Sequence, residues 1–206
     1  MCKVFRNKIP EEFVSGGSAI ALGNFDGLHL GHKQIINELF KHETLKKIVV
    51  SFYPHPQTVI KKTSPLPVIN SFEQKIKILN EWKVDAFFLI NFTDKVRNLS
   101  AESFINEYLI KRLNTQFLAI GEDGRIGKNG EASAKKIIDM LHRDKIAGEI
   151  VSFLKKNDHK ISSSEIRKRI LTGNLETIEP FLGRRYSIIG KVIKGDQRGR
   201  TIGYPT

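Results

Sequence analysis

The sequence has only one cysteine, Cys2, and it has no apolar run long enough to cross a bilayer. A single cysteine excludes an internal disulfide, and with it the small secreted proteins that disulfides stabilise. A membrane-spanning helix needs about 20 apolar residues, and the first residues, MCKVFR, lack the apolar core of a signal peptide. These absences predict a soluble protein of the cytoplasm that has no membrane as its partner.

Negative charge is scarce relative to positive charge. Lys and Arg number 34 against 22 Asp and Glu, which gives a net charge of +12. Such an excess is compatible with nucleic acid, an anionic membrane surface or phosphorylated small molecules as partners. The sequence has no RNA-binding pattern of interleaved aromatics and no recognition-helix motif, so nucleic acid is not expected as a partner. A basic nucleic-acid-binding protein stays open as an alternative.

The most informative stretch is residues 23–32, GNFDGLHLGH, which we call the glycine-histidine turn. An apolar run precedes it and a pattern of 3.6-residue spacing follows it, so the order is strand, turn, helix. Glycines at 23, 27 and 31 remove Cβ atoms where a polyanion could approach the backbone, and a helix start offers free N–H groups. His29 and His32 could converge on a phosphoryl group as neutral donors or as cations. The turn therefore predicts phosphate chemistry.

Simpler explanations of the turn also exist. Two histidines beside a helix start could be half of a zinc site, although no cysteine pair or third histidine at ligand spacing supports zinc. Asp26 could simply be the N-cap of the helix, with both histidines exposed. The combination of two histidines with three glycines favours nucleotide chemistry.

The remainder of the chain alternates apolar runs with helical patterns. Serines at 71, 100 and 162–164 are predicted helix caps, and a rigid loop is predicted at residues 53–56 and continues over 61–67. The alternation predicts an α/β fold, a Rossmann-like, doubly wound and mostly parallel sheet. The predicted strands are 19–22, 47–52, 86–90, 116–120 and 149–153, and the predicted helices start near 31, 71, 100, 131 and 163.

Ligands of such sheets bind at the carboxyl ends of the strands. The turn at 23–32, the loops at 53–56 and 121–127 and the serine turn at 162–164 should therefore open toward one crevice. Arg167, one helical turn beyond the serines, could bind a phosphate with its forked guanidinium. Plain helix capping by the serines and a solvated Arg167 are the simpler alternatives.

The residue pattern of the sequence changes after residue 182. Residues 186–194 alternate like an exposed strand and lead into a basic, glycine-rich stretch. Residues 183–206 are too few to bury a core of their own. We therefore predict a main domain at 1–182 and a short, incomplete β segment at 183–206.

The motifs together resemble the prokaryotic bifunctional riboflavin kinase and FAD synthetase family. Residues 23–32 match its Gly-x-Phe-Asp-Gly-x-His-x-Gly-His signature, residues 52–56 resemble its flavin-side loop, and 161–167 resemble its Ile-Ser-Ser-Thr-x-Ile-Arg motif with Ser164 in place of threonine. Residues 182–184 and 190–206 resemble the entry into its kinase domain. The resemblance implies an FMN adenylyltransferase of the nucleotidylyltransferase superfamily, which joins FMN to the AMP of ATP and releases pyrophosphate.

The resemblance also implies roles for individual residues. Mg²⁺, whose protein ligands the sequence does not assign, would accompany ATP, and ATP and FMN would be the small-molecule partners. The catalytic set is His29, His32 and Arg167. The implied ATP-binding set is Gly23, Asn24, Phe25, Asp26, Gly27, Gly31, Ser163 and Ser164, and the implied flavin-binding set is Phe52, Pro54, His55, Pro56, Asp123 and Arg125.

Two departures from the family pattern limit these expectations. Gly124 and Ile126 stand where the family usually has aromatic residues, which implies weaker packing against a bound ring. The family's Pro-Thr-Ala-Asn kinase motif stops after Thr206, so riboflavin kinase activity is expected to be absent from this chain. The alternatives to FAD synthesis are an inactive relic, a nucleotide- or flavin-binding module, or a nucleotidylyltransferase with another acceptor.

Overall fold

A parallel sheet of six strands forms the centre of the protein in the computed structural model, which describes residues 1–61, 67–156, 159–193 and Gly203. The strand order is β1-β4-β3-β2-β5-β8, and every neighbouring pair in it is parallel. The prediction of an α/β fold with a doubly wound parallel sheet is confirmed. The sheet strands are β1 Lys3–Arg6, β2 Ser18–Leu22, β3 Lys46–Tyr53, β4 Ala86–Asn91, β5 Thr115–Gly121 and β8 Ala147–Val151.

Helices connect the strands on both faces of the sheet. Two short antiparallel pairs accompany them, β6 Arg125–Ile126 with β7 Ala132–Ser133, and β9 Lys155–Lys156 with β10 His159–Lys160. The helix α6 continues as a π-helix over Ile105–Arg112. The α-helices are α1 Glu11–Val14, α2 Leu30–Glu38, α3 Pro56–Lys61, α4 Phe72–Glu81, α5 Asp94–Arg97, α6 Ala101–Phe104, α7 Ala134–Arg143, α8 Ser163–Leu171 and α9 Glu179–Leu182.

Strand alternation divides the core into two layers. Ala19 and Ala21 face one layer, which packs against α2 and α4, whereas Ile20 and Leu22 face the other, which packs against α6, its π-helical continuation and α7. Successive side chains of a strand point to opposite faces, so a strand with both faces covered is largely apolar, as residues 19–22 of β2 are. A smaller third cluster lies under α8 and α9 and includes Ile161, Ile166 and Phe181.

Serine caps were predicted correctly. Ser71 and Gln74 form a reciprocal capping box at the start of α4, and Ser100 accepts a hydrogen bond from the Ser103 amide at the start of α6. Trp82 is the C-cap of α4. Local hydrogen bonding decides these helix boundaries, which is why short sequence patterns predict them.

Several sequence predictions of local structure were wrong. Strand β1 was missed because it is a four-residue edge strand that pairs with β4 and carries no alternating pattern. Residues 56–61 form α3 rather than a loop, and α7 begins at Ala134 rather than at 131. The 3.6-residue spacing after the turn predicts that Phe40 lies on the buried face of the helix, but Phe40 lies in a 3₁₀ turn and is 37% exposed.

The expected exposed strand at 186–194 was also wrong for the residues described. Residues 186–193 have no regular secondary structure, and 194 lies outside the described residues. The fifth predicted strand was shifted, since β8 spans Ala147–Val151. The predicted loop at 61–67 falls mostly outside the described residues, as do most of the residues after 193.

Candidate functional site

The candidate site is a cavity of about 410 Å³ at the carboxyl ends of four adjacent strands, β3, β2, β5 and β8. Strand order reverses here, because the chain continues from β2 to β3 on one side and from β5 to β8 on the other. Such a reversal leaves a crevice between the loops that follow the two central strands. The structure thus brings the four predicted loops to one place.

Most predicted site residues line this cavity. Gly27 and Pro54 do not line it, and Pro56 lines a second, neighbouring cavity. The predicted residues on its wall are Gly23, Asn24, Phe25, Asp26, His29, Gly31, His32, Phe52, His55, Asp123, Arg125, Ser163, Ser164 and Arg167.

His29 and His32 are held together by the start of α2. His29 is the N-cap, its Nδ1 accepts a hydrogen bond from the His32 amide at 3.2 Å, and the two rings stack with their centroids 3.6 Å apart. Since Nδ1 is an acceptor here, the neutral ring of His29 carries its proton on Nε2. Asp26, expected as a possible cap, is therefore not the cap.

Burial keeps both imidazoles neutral. Desolvation, aided by the positive charge of Arg184, lowers the pKa of His29 to about 4, although the nearby Asp26 opposes this shift. Desolvation also holds the pKa of His32 well below its usual value, with the neighbouring His29 as the next cause. Of the two protonation states that the sequence left open, the structure favours neutral hydrogen-bond donors at neutral pH.

Asp26 is the centre of a buried charge cluster. Its carboxylate, 2% exposed, lies 2.8 Å from Nη2 of Arg167 and 3.7 Å from Nζ of Lys75, and the Ile69 amide donates to it. Arg167 also donates from Nε to the carbonyl of Pro67. The sequence predicted Arg167 as a phosphate ligand or a solvated charge, and neither prediction foresaw that it holds Asp26.

The three serines before and within α8 have different local roles. Ser162 is the N-cap and accepts from the Glu165 amide, and Ser163 donates its hydroxyl to the carbonyl of Asp26 at 2.6 Å. Among the described residues, Ser164 makes no side-chain hydrogen bond. Capping thus accounts for Ser162, whereas the exposed Ser164 offers its hydroxyl to the cavity.

Two glycines of the turn allow close packing of neighbouring side chains. Gly27 has a φ of +88°, and a Cβ on it would lie 3.0 Å from Cδ1 of Ile69. A Cβ on Gly31 would lie 3.2 Å from the ring of His29. Both glycines therefore let protein side chains approach the turn closely, but Gly31 lines the cavity, so only Gly27 departs from the expectation that all three face a polyanion.

A second cavity, about 480 Å³, adjoins the first one. The two cavities share Asn24, Phe52, Arg125 and Ile126. Most of the remaining wall of the second cavity is not marked by any sequence motif. The residues of this wall come from α3, α5, α6 and the residues that follow β4 and β6. The second wall also includes Pro56, Ile60, Phe92, Val96, Arg97, Phe104, Gly127, Asn129 and Gly130.

The first cavity also has lining residues that the sequence did not single out. Lys160, on β10, is the main charged one, and it lies 3.5 Å from Asp123 Oδ2. Within the described ranges, no group of three or more His, Cys, Asp or Glu side chains has the arrangement of a metal site. No described helix is both long and apolar enough to span a bilayer.

Comparison with solved structures supports the architecture. A crystal structure titled a macrolide-efflux protein from Streptococcus pneumoniae superposes with a TM-score of 0.86 at 26% identity, over 98% of this chain and 67% of that one. A pantoate-beta-alanine ligase from Francisella tularensis, complexed with beta-gamma ATP and beta-alanine, superposes with a TM-score of 0.51 at 16% identity, over 92% and 90% of the two chains. The second likeness shows the fold alone.

Curated relatives agree with one another. Bifunctional riboflavin kinase/FMN adenylyltransferases from Buchnera aphidicola subsp. Schizaphis graminum and Bacillus subtilis are 38% and 37% identical to this chain, over 94% and 92% of it. The chain spans 63% and 60% of their lengths. A riboflavin kinase family model matches residues 182–206. The FAD synthetase family model matches residues 12–165, about three quarters of the chain. The chain therefore belongs to the FAD synthetase family.

Proposed function

We propose that this protein transfers the adenylyl group of ATP to FMN, giving FAD and pyrophosphate. The observation that carries the proposal is the pair of adjoining cavities with a shared wall at Asn24, Phe52, Arg125 and Ile126. One cavity is lined by histidines, serines and an arginine, as a polyphosphate requires, and the other is lined largely by apolar side chains, as a flavin ring requires. A dinucleotide has such a polar centre with ring systems to its sides.

The proposed reaction is an in-line displacement. A phosphate oxygen of FMN attacks the α-phosphorus of ATP, a new P–O bond forms, and the bond to the bridging oxygen of the β-phosphate breaks as pyrophosphate leaves. No covalent bond to the protein is needed, so catalysis consists of positioning and charge stabilisation.

The residues of the glycine-histidine turn carry the central role in this proposal. Neutral His29, with its proton on Nε2, and His32 donate hydrogen bonds to oxygens of the α-phosphate, where negative charge increases in the transition state. Ser164 donates to the departing phosphates, near the start of α8. Arg167 holds Asp26 with one nitrogen and adds positive charge on the cavity side.

The flavin side of the proposal rests on the second cavity. Phe52 lines both cavities and Pro56 lines the second, whereas His55 lines the first and Pro54 lines neither. Arg125, which lines both cavities, and Asp123, which lines the first, stay in the proposal as flavin-side residues. Pro54, in a cis peptide bond after Tyr53, is retained only as part of the loop that places its neighbours.

Mg²⁺ is proposed as the counterion of ATP. Mg²⁺ is usually held by substrate phosphates together with one or two carboxylates. Of the two carboxylates that line the first cavity, Asp26 is buried and paired with Arg167 and Lys75. Asp123 is 69% exposed and has a single ion pair within the described residues, with Lys160, so Asp123 is the carboxylate that fits this role. When bound, the ion would neutralise part of the triphosphate charge.

The proposal extends to the setting of the reaction. ATP and FMN are the proposed partners, with no nucleic acid or membrane, and the ATP requirement places the protein in the cytoplasm. Residues 1–182 form the proposed adenylyltransferase domain, and 183–206 begin the proposed kinase segment.

Direct assay tests the proposal. The purified chain is incubated with FMN and Mg-ATP, and FAD and pyrophosphate are quantified by chromatography and a coupled assay. Equal amounts of the two products are expected. A folded chain that binds ATP or FMN in calorimetry without forming FAD would overturn the proposal in favour of a binding module. ATP consumption with another acceptor, such as phosphopantetheine, would contradict the flavin assignment.

A further inference from the structure

The backbone of the glycine-histidine turn is unusual between β2 and α2. Phe25, Gly27 and Leu28 all have positive φ, at 47°, 88° and 41°. Positive φ is costly for residues with a Cβ, so Phe25 and Leu28 adopt it only because their surroundings impose it. Both side chains are buried, 1% and 0% exposed. The turn that presents the histidines therefore depends on contacts from outside itself.

Those contacts are hydrogen bonds to the carbonyl groups of the turn. Ser51 on β3 donates to Asn24, and Ser163 on α8 donates to Asp26. The next two carbonyls, of Gly27 and Leu28, accept from Arg184 alone among the described residues. A buried carbonyl without a donor is costly, so each of these donors stabilises the turn in its observed shape.

Arg184 belongs to a different part of the chain, which we call the connecting segment, residues 183–187. Its Nη2 lies 2.6 Å from the Gly27 carbonyl and its Nη1 lies 2.7 Å from the Leu28 carbonyl, and it also donates to Leu182 and Asn70. The planar guanidinium can reach two adjacent carbonyls at once, which an ammonium group does less well.

The connecting segment is itself fixed at both ends. Gly183 ends α9 in the left-handed conformation, and a Cβ on it would meet Cδ2 of Leu30, the first residue of α2, at 2.5 Å. Beyond Arg184, Ser187 accepts hydrogen bonds from the side chain of Gln74 on α4. The backbone on both sides of Arg184 is therefore fixed, and this backbone holds the guanidinium next to the turn.

We propose that Arg184 is a positioning residue for His29 and His32, through the Gly27 and Leu28 carbonyls that its guanidinium binds. The inference rests on the proposed adenylyl transfer as far as its effect on turnover is concerned. Arg184 lies within residues 182–206, the stretch that matches the riboflavin kinase family model, yet it holds the turn of the part that matches the FAD synthetase family model. The connecting segment thereby completes the adenylyltransferase site.

The test compares Arg184→Ala and Arg184→Lys with Arg185→Ala. Arg185 is the exposed neighbour, so its substitution removes the same charge from the connecting segment without touching the turn. We expect kcat for FAD formation to fall by up to about 100-fold in Arg184→Ala, with a small change in KM for ATP, because a misplaced reacting group costs about that much. Arg184→Lys should lie between, and Arg185→Ala should equal the wild type.

Two further measurements separate positioning from general stability. Added guanidinium ion should restore part of kcat in Arg184→Ala and none in Arg185→Ala. In NMR titrations of the imidazoles, the pKa of His29 should rise in Arg184→Ala, since a positive charge near it has been removed. Arg184→Lys retains the charge, so its His29 titration should stay close to that of the wild type.

Wild-type kcat together with an unshifted His29 pKa in Arg184→Ala would overturn the inference. Arg184→Ala with lower thermal stability but wild-type kcat would also overturn it. If Arg184→Ala does not fold, Arg184→Lys decides through its kcat, because its charge is retained. If the wild-type chain forms no FAD, the proposed function fails, and the imidazole titration still tests whether Arg184 controls the turn.

Discussion

His29 accepts a hydrogen bond from the backbone amide of His32, and the two imidazoles stack with an angle of 15° between their planes. One side chain thus caps the helix that carries the other. The same contact fixes the tautomer of His29, and burial keeps both rings neutral. Helix capping and the proposed phosphate contact are therefore performed by one residue, and a substitution at His29 alters both unless the cap is preserved.

His29→Asn and His29→Ala should separate these two effects. Asparagine is a good N-cap and alanine a poor one, so His29→Ala should lose about 1 kcal/mol more of the free energy of unfolding than His29→Asn. Both should lose most FAD formation, because neither offers Nε2–H. Denaturant unfolding and kcat measured on the same samples check this. Equal stability of the two variants would contradict the capping role.

The free energy of unfolding should decrease as the pH falls from about 6.5 to about 4. The pKa of His29 is about 4 in the folded protein, against an ordinary histidine value of 6.5, so between these limits the unfolded chain binds more protons. The pKa difference of His29 contributes about 3 kcal/mol to the free energy of unfolding, and this contribution is present above pH 6.5 and lost toward pH 4. Urea unfolding at several pH values measures the slope, which should be shallower in His29→Asn.

Asp26→Asn should be strongly destabilising. The substitution removes the partner of Arg167 and Lys75, whose side chains are only 14% and 16% exposed, and leaves two partly buried cations together. Breaking a buried pair from one side costs about 3–5 kcal/mol. Chemical denaturation should show a loss of that size.

Asp123→Asn is the matched control for Asp26→Asn. Asp123 is also an aspartate of the first cavity, and it pairs with Lys160, but its side chain is 69% exposed. Exposed ion pairs contribute about 0–1 kcal/mol, so its stability should be nearly that of the wild type. Comparable losses in the two variants would argue against a special role for the buried cluster.

Gly124→Phe should not fit an aromatic side chain at this place. A Cβ on Gly124 would lie 2.4 Å from Cγ1 of Ile120 and 2.9 Å from the Gly121 carbonyl oxygen. The backbone would have to move, so even Gly124→Ala should lower the midpoint of thermal unfolding. Gly16→Ala is the control, because a Cβ there meets nothing within 4 Å. Higher FAD formation in Gly124→Phe would contradict this account.

Local signals determined much of the fold. The apolar runs of β2 and β3, the serine caps at 71 and 100 and the spacing of the α6 region are properties of short stretches, and each predicted its element. Parallel alternation then determined the sheet, since strands joined by helices leave few topologies. Strand β1 was not predicted, because its extended conformation depends on pairing with β4, which is distant in sequence.

The candidate site was likewise predictable from the sequence only in part. Motifs in the sequence identified His29, His32, Ser164 and Arg167, and strand order explained why their loops meet. The second cavity was predicted only through Phe52, Pro56 and Arg125, because most of its wall comes from α3, α5, α6 and the residues after β4 and β6, which share no sequence motif.

The sequence by itself determined the family, the parallel sheet and the residue types of the site, because these depend on local pattern. Only the tertiary structure decided what those residues do to one another. It paired Asp26 with Arg167 across 141 positions and brought Arg184 to the carbonyls of Gly27 and Leu28 across 157 and 156 positions. Burial and the geometry of hydrogen-bond and ion-pair partners are properties of the folded chain, so no local sequence pattern could have predicted these contacts.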